Sequence, residues 1–279
     1  MDFQKLGIMQ GRLSPPKNNN IQHFPVDNWE KEFFILKELN LFNIQWVYEK
    51  NNYKLNPLYS DPLSIQKISK ETNIHVNSVI LDYFMEEKIF NEDENIINKN
   101  VEHLKYILSQ CQKAGIKIIE IPFVDNSSLH NIYDKDKFFK NLTSIITEAK
   151  KFNLYLSLET DLKPIDFLTL INSFKPKSLF INYDMGNSTS NNISPFDEIP
   201  LLHSFIKNIH IKDRKKNKGS TCPLGTGDTD FKNIFYLLNK YNYNGDFIIQ
   251  GAREDINDDK TNFIETILKY LRFLKNLDL

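Results

Sequence analysis

Tyr155-Leu156-Ser157-Leu158-Glu159 runs from apolar residues into an acid. The same design returns at Ile181-Asn182-Tyr183-Asp184, Ile206-Lys207-Asn208-Ile209-His210 and Phe247-Ile248-Ile249-Gln250. Each stretch reads as a short strand that closes on a polar group able to bind a metal. If the four are parallel neighbours in one sheet, their C-terminal ends bring Glu159, Asp184, His210 and Gln250 to a common mouth. Two carboxylates, an imidazole and an amide oxygen suit one divalent cation, Mn²⁺, Co²⁺, Mg²⁺ or Zn²⁺.

The punctuation of the chain supports that geometry. Helix-like segments close on Asn40, Asn73, Gly115 and Asn153, and a short apolar run follows each. Asn and Gly tolerate the left-handed conformation that ends a helix, so these are helix-to-strand junctions, with Gly245 as a fifth. Ile97, Val101, Leu104, Leu108 and Cys111 advance by alternating fours and threes, as do Phe138, Leu142, Ile145 and Ala149, which is helical spacing. The strand segments read as continuous apolar runs, the pattern of burial on both faces. Strands are predicted near residues 5–9, 43–48, 74–80, 116–121, 154–159, 178–183, 206–211 and 246–250. Eight strand–helix units in 279 residues predict one (β/α)₈ TIM barrel, a single domain over residues 1–279. A doubly wound open sheet is disfavoured, because Gly7-Ile8-Met9-Gln10-Gly11-Arg12 lacks the glycine spacing of a dinucleotide turn.

Composition narrows the setting. Lys+Arg number 35 against Asp+Glu 36, a formal charge of -1, so no global field attracts nucleic acid. Two cysteines and no signal-like or membrane-length apolar stretch fit a reduced, cytoplasmic protein with no membrane partner.

Leu158-Glu159, Tyr183-Asp184-Met185-Gly186-Asn187, His210-Ile211-Lys212-Asp213 and Leu224-Gly225-Thr226-Gly227-Asp228-Thr229-Asp230-Phe231, in this order, resemble the xylose-isomerase-like barrel superfamily. The likeness is to its sugar-phosphate isomerases and epimerases, of the ribulose-phosphate and hexulose-phosphate 3-epimerase kind. It implies a sugar or sugar-phosphate substrate, one divalent metal on Glu159, Asp184 and His210, and Glu159 also as the proton-transferring base. Family members often form homo-oligomers, though no motif here dictates an interface.

One departure matters. The family's eighth strand usually ends in a second glutamate, where this chain has Gln250. Glutamine can ligate through its amide oxygen, but it has no titratable proton. A 3-epimerase needs a second acid on the opposite face of the sugar carbon, whereas an aldose–ketose isomerase can work with one base. Glu49, Glu120 and His75 are candidates for that second group. A dehydratase or lyase on a keto sugar or cyclic polyol, using the same metal, is an alternative, as is a non-catalytic sugar-binding relative.

Other polar residues fall where substrate could meet them. Lys212 and Arg214 follow the seventh strand and Arg253 follows the eighth, where barrel phosphate sites often form. Arg253 could grip an anion in a bidentate fork. Lys215, Lys216 and Lys218 read as a solvated basic loop. Gln10 and Arg12 follow strand one, and Trp46 and Tyr48 close strand two, so they could line the pocket, although Trp46 could equally be packing. Gly225 and Gly227 let the seventh loop turn tightly before a helix that Asp230 caps.

Overall fold

The computed structural model describes residues 3–15, 22–253 and 263–277. Eight parallel strands close into a barrel: β1 (Leu6–Met9), β2 (Asn43–Val47), β3 (Ser78–Ile80), β4 (Ile118–Phe123), β5 (Tyr155–Thr160), β6 (Phe180–Asp184), β7 (Ile206–Ile211) and β8 (Asp246–Ile249). Each strand pairs with its neighbours in sequence, and β8 closes on β1 through Leu6↔Phe247 and Ile8↔Ile249. The predicted strands are all present. Only β3 is much shorter than expected, because His75 contributes no more than an isolated bridge to Asn43.

Helices α1 (Trp29–Glu38), α2 (Pro62–Thr72), α3 (Glu94–Ala114), α4 (Lys135–Lys151), α5 (Pro164–Asn172), α6 (Pro195–Leu202), α7 (Phe231–Lys240) and α8 (Phe263–Lys275) surround the barrel. Their ends follow local chemistry. Pro62, Pro164 and Pro195 open helices where a missing N–H costs nothing. Asp134 and Asp230 accept from the backbone N–H groups of Lys137 and Asn233 as N-caps. Asn40, Asn73, Gly115 and Asn153 all have φ between 55° and 84°, as the junction reading requires. At the fifth junction the left-handed residue is Asn242 (φ 55°) and not Gly245. Gly245 is demanded by crowding, since a Cβ there would lie 2.4 Å from the Tyr243 hydroxyl. No helix among the described residues is long and apolar enough to cross a membrane.

The strands are buried on both faces, but their two faces differ, which corrects the reading as continuous apolar runs. Ile44, Trp46, Ile119, Ile121, Leu156, Leu158, Ile181, Tyr183, Ile209 and Ile211 point outward into the main core shared with the helices. The alternate residues line the barrel. Met9, Val47, Ile80 and Ile248 form a separate apolar cluster there. Much of the remaining lining is polar: Gln45, Glu120, Ser157, Glu159, Asn182, Asp184, Asn208 and His210, none more than 5 % exposed. Alternation, with a polar inner face, is what builds a site inside this barrel.

Candidate metal centre

Register brings the polar strand ends together. Asp184 on β6 pairs with His210 on β7, and His210 pairs with Ile248 on β8, two residues before Gln250. His210 Nδ1 lies 3.4 Å from Glu159 Oε2 and 3.8 Å from Asp184 Oδ2. The opposite ring nitrogen, Nε2, is 2.7 Å from Gln45 Oε1 and 3.3 Å from Glu120 Oε2. Gln45 Nε2 also donates to Glu120 Oε2 at 2.8 Å, so β2 and β4 hold the back of the imidazole, and Nδ1 faces the two carboxylates and the Asn182 side-chain amide nitrogen, 3.1 Å away.

Glu120, Glu159 and His210 each offer a ligand atom within 4.8 Å of one another. One ion cannot take both ring nitrogens, so the two sides of His210 must be told apart. Glu120 pairs in register with Ser157, two residues before Glu159, and therefore sits one pleat deeper in the barrel. The Nδ1 side, with Glu159 and Asp184, is the one that opens to the mouth. Outer hydrogen bonds fix the carboxylates there. Asn182 Nδ2 donates to Glu159 Oε2 at 2.9 Å, and Asn208 holds Asn182 through its Oδ1. Asn187 donates its side-chain amide to Glu159 Oε1 and its backbone N–H to Asp184 Oδ1. Arg214 in turn donates to Asn187 Oδ1, while Lys212 Nζ reaches Asp184 Oδ2 at 3.2 Å.

The charges are mutually adjusted. Burial and the Asp184 charge push the Glu159 carboxyl up, but His210 and Lys212 outweigh them and hold it below its ordinary value. Burial likewise opposes ionisation of Asp184, which Lys212, His210 and the Asn187 amide bring down to about 2. Burial lowers His210, yet Glu120, Asp184 and Glu159 raise it well above the usual imidazole range. Glu120, buried beneath, is pushed up to about 8. Without a metal, His210 and Lys212 are the basic groups that face these carboxylates.

The donor set fits a divalent cation. Glu159, Asp184 and His210 Nδ1 converge, and Gln250 Oε1 is a buried acceptor with no hydrogen-bond partner among the described residues, as a further ligand needs. Gln250 Nε2 is fixed by donating to Gln22 Oε1 at 3.0 Å.

The remaining expected residues divide. Lys212 and Arg214 stand at the mouth, as described. Gln10 closes the ladder between β1 and β2: it is buried, and its Oε1 accepts from the Val47 N–H. Trp46 corrects the pocket reading. It faces outward, fully buried against Phe24 and Trp29, with Nε1 donating to Asn56 Oδ1. Tyr48 shares that side and bonds His103. Arg253 donates to backbone, to Ser14 O at 2.9 Å and to Gly11 O. Arg12 donates to Gly251 O, so the two arginines lash the loops after β1 and β8 together. Burial and the neighbouring Arg253 lower Arg12 to about 9.

The proposed second acids also move. His75 is exposed at the N-terminal end of β3, the wrong end of the barrel. Glu49 accepts from the Phe24 N–H and pins the segment before α1. Glu120 lies one pleat beneath Glu159. Sequence reasoning missed Gln45, Asn182, Asn187 and Asp82. For Asn182 the signal was available, since it lies two residues before Asp184 on the same strand and so shares its face.

A closed parallel barrel gathers carboxylates around a histidine at the C-terminal mouth, the face on which barrel enzymes build their sites. The chain belongs to the xylose isomerase-like TIM barrel family, which it matches over residues 36–276. It is 22 % identical over 236 residues to the L-ribulose-5-phosphate 3-epimerase UlaE of Salmonella heidelberg, covering 80 % of this chain and 81 % of that one. Among solved structures, an L-ribulose 3-epimerase superposes with a TM-score of 0.75 at 16 % identity, covering 98 % of this chain and 93 % of that one. The D-psicose 3-epimerase of Clostridium cellulolyticum, solved with D-tagatose, gives 0.74 at 13 % identity, covering 98 % and 99 %. Epimerases are isomerases, so the enzyme class expected from the sequence is the class of these relatives.

Proposed function

We propose that the protein is a divalent-metal-dependent epimerase of ketoses or ketose phosphates, working through an enediolate with Glu159 as base. What carries this reading is the convergence of Glu159, Asp184 and His210 Nδ1 at the mouth, with the unpartnered Gln250 oxygen beside them. The names of the relatives support it. Glu159, Asp184, His210 and Gln250 would hold the ion, which would supply positive charge beside the forming enediolate.

The chain's own residues account for the rest. Glu159 is held ionised, so it can accept a proton from the carbon next to a ketose carbonyl. Asn182 and Asn187 fix its two oxygens and keep it from rotating away from substrate. Lys212 places a cation at the rim, where it favours an anionic intermediate or a phosphorylated substrate. With neutral Gln250, two carboxylates and a divalent ion sum to a formal charge of about zero, which suits an anionic intermediate better than a third carboxylate would.

The test is incubation of the metal-loaded protein with L-ribulose 5-phosphate and a panel of free and phosphorylated ketoses in D₂O. The expected outcome is deuterium at the carbon beside the carbonyl, together with the epimer. Neither exchange nor product across the panel, with Mn²⁺ or Co²⁺ supplied, overturns the reading and turns attention to the dehydratase alternative.

A further inference from the structure

Gln250 leaves inversion at carbon one proton donor short, and the structure offers a carboxylate that the sequence pattern did not mark. Asp82 follows β3. Ile80 pairs with Glu120, and Pro122, two residues on, pairs with Glu159. Counting two residues on from Ile80 therefore sets Asp82 at the height of Glu159 on the rim. In the barrel order the ligands come from β5, β6, β7 and β8, while β3 stands across from β7. Asp82 thus approaches the mouth from the wall that faces His210.

The ordinary task of an Asp at this place is to cap the helix that follows. Asp82 does precede the helical turn Tyr83–Glu86, yet its side chain makes no capping hydrogen bond. Its Oδ2 instead accepts from Gln22 Nε2, and Gln22 Oε1 accepts from Gln250 Nε2. A continuous hydrogen-bonded bridge therefore joins Asp82 to the position where the family's second carboxylate would stand. The charges of Glu159, His210 and Arg12 all bear on Asp82.

Resting on the epimerase reading above, we propose that Asp82 is the second catalytic acid, acting on the face of the substrate opposite Glu159. Glu159 takes the proton from carbon, and the electron pair of that C–H bond passes into the adjacent carbonyl to give the enediolate. Asp82 then delivers its own proton to the other face of the same carbon. A C–H bond forms as the Asp82 O–H bond breaks, and the enediolate electrons reform the carbonyl. Glu159 finishes protonated and Asp82 ionised, and exchange with water resets both. Burial raises the Asp82 carboxyl to about 6, which keeps part of it protonated near neutrality and supports this role.

The experiment compares wild type, D82N and D82N/Q250E, each loaded with Mn²⁺, on a ketose phosphate that wild type epimerises in D₂O. Loss of a positioned acid costs about 10²–10⁴-fold in rate, so D82N should lose inversion by at least roughly 100-fold. It should still wash deuterium into recovered, uninverted substrate, because Glu159 can take and return a proton on one face. Elemental analysis should show unchanged metal stoichiometry in D82N, and D82N/Q250E should regain inversion through the restored carboxylate. Inversion by D82N at the wild-type rate overturns the proposal. So does joint loss of exchange, inversion and metal, which would make Asp82 a structural support. Wild type inert on every ketose defeats the epimerase reading itself, and the role of Asp82 falls with it.

Discussion

Metal uptake by this site should expel one proton, and the number follows from the geometry. His210 Nδ1 sits between Glu159 and Asp184 at 3.4 and 3.8 Å, while Nε2 faces Gln45 and Glu120. Burial lowers the imidazole pKa, but Glu120, Asp184 and Glu159 raise it well above its ordinary value, which favours the charged ring. Asp184, at about 2, and Glu159, held below its ordinary value, are already ionised and have no proton to release. Ligation requires the lone pair of Nδ1, so a charged imidazole must give up one ring proton for each ion bound. Below the folded-state pKa of His210, the observed binding constant should therefore rise about tenfold, or about 1.4 kcal/mol, per pH unit. Calorimetric titration of Mn²⁺ or Co²⁺ into chelator-treated protein, in buffers of different ionisation enthalpy, counts the protons directly. We expect a count near one at pH 7 and a loss of tight uptake in His210→Ala. Stoichiometric binding with no proton release would refute the assignment of Nδ1 as a ligand.

Three further expectations follow. Burial raises Glu32 to about 7, Asp82 to about 6, Glu120 to about 8 and Glu198 to about 7, and His210 is raised as well. The folded state therefore holds protons that the unfolded chain gives up sooner, and metal-free stability should decline as pH rises from about 5 to 8, lowering Tm by roughly 5–10 °C; a Tm that climbs over that range under chelator defeats the argument. Trp46→Ala should cost about 3–5 kcal/mol in denaturant unfolding while metal stoichiometry stays intact, since Trp46 packs outside the barrel; selective loss of metal from a folded variant would return Trp46 to the pocket. At Gly227 a Cβ would fall 2.0 Å from Asp213 Oδ1, which together with Oδ2 accepts from the backbone N–H groups of Gly225, Gly227 and Thr229. Gly227→Ala should therefore loosen the loop after β7, seen as faster amide exchange at residues 224–229, and an unchanged exchange pattern would show that Asp213 simply moves aside.

The barrel was legible because its signals are local. A strand that ends in Glu159 or Asp184, and a helix that ends in Asn73 or Asn153, declares itself within a few residues of chain. The polar lining was less visible: Gln45, Glu120, Asn182 and Asn208 each stand beside Ile, Tyr or Trp, so a reading by overall hydrophobicity sees a continuous apolar run. Strict parity would have separated them, and would also have turned Trp46 outward, since Gln45 and Val47 face in. The roles of Arg12 and Arg253 had no local signal at all. Arg12 meets Gly251, and Arg253 meets Ser14, across 239 residues of chain, contacts that exist only because β8 closes on β1. Asp82 escaped notice for a related reason: an Asp before a helical turn looks like a cap, and only the structure shows its carboxylate turned to Gln22.

The lining also explains why a carboxylate could be given up on β8. The apolar inner cluster comes from β1, β2, β3 and β8, whereas Glu120, Glu159, Asp184 and His210 crowd the half built from β4 to β7. Buried carboxylates this close are costly unless matched by positive charge, and here His210, Lys212 and an incoming cation must share that task. A further glutamate at position 250, next to His210 on the neighbouring strand, would add negative charge beside that half of the mouth and strengthen its hold on an ion, but it would also repel an enediolate. Placing the second proton donor on β3 separates the two demands. On this proposal the ion would sit in a site of formal charge near zero, and the acid would approach from the facing wall, joined to Gln250 through the neutral side-chain amide of Gln22.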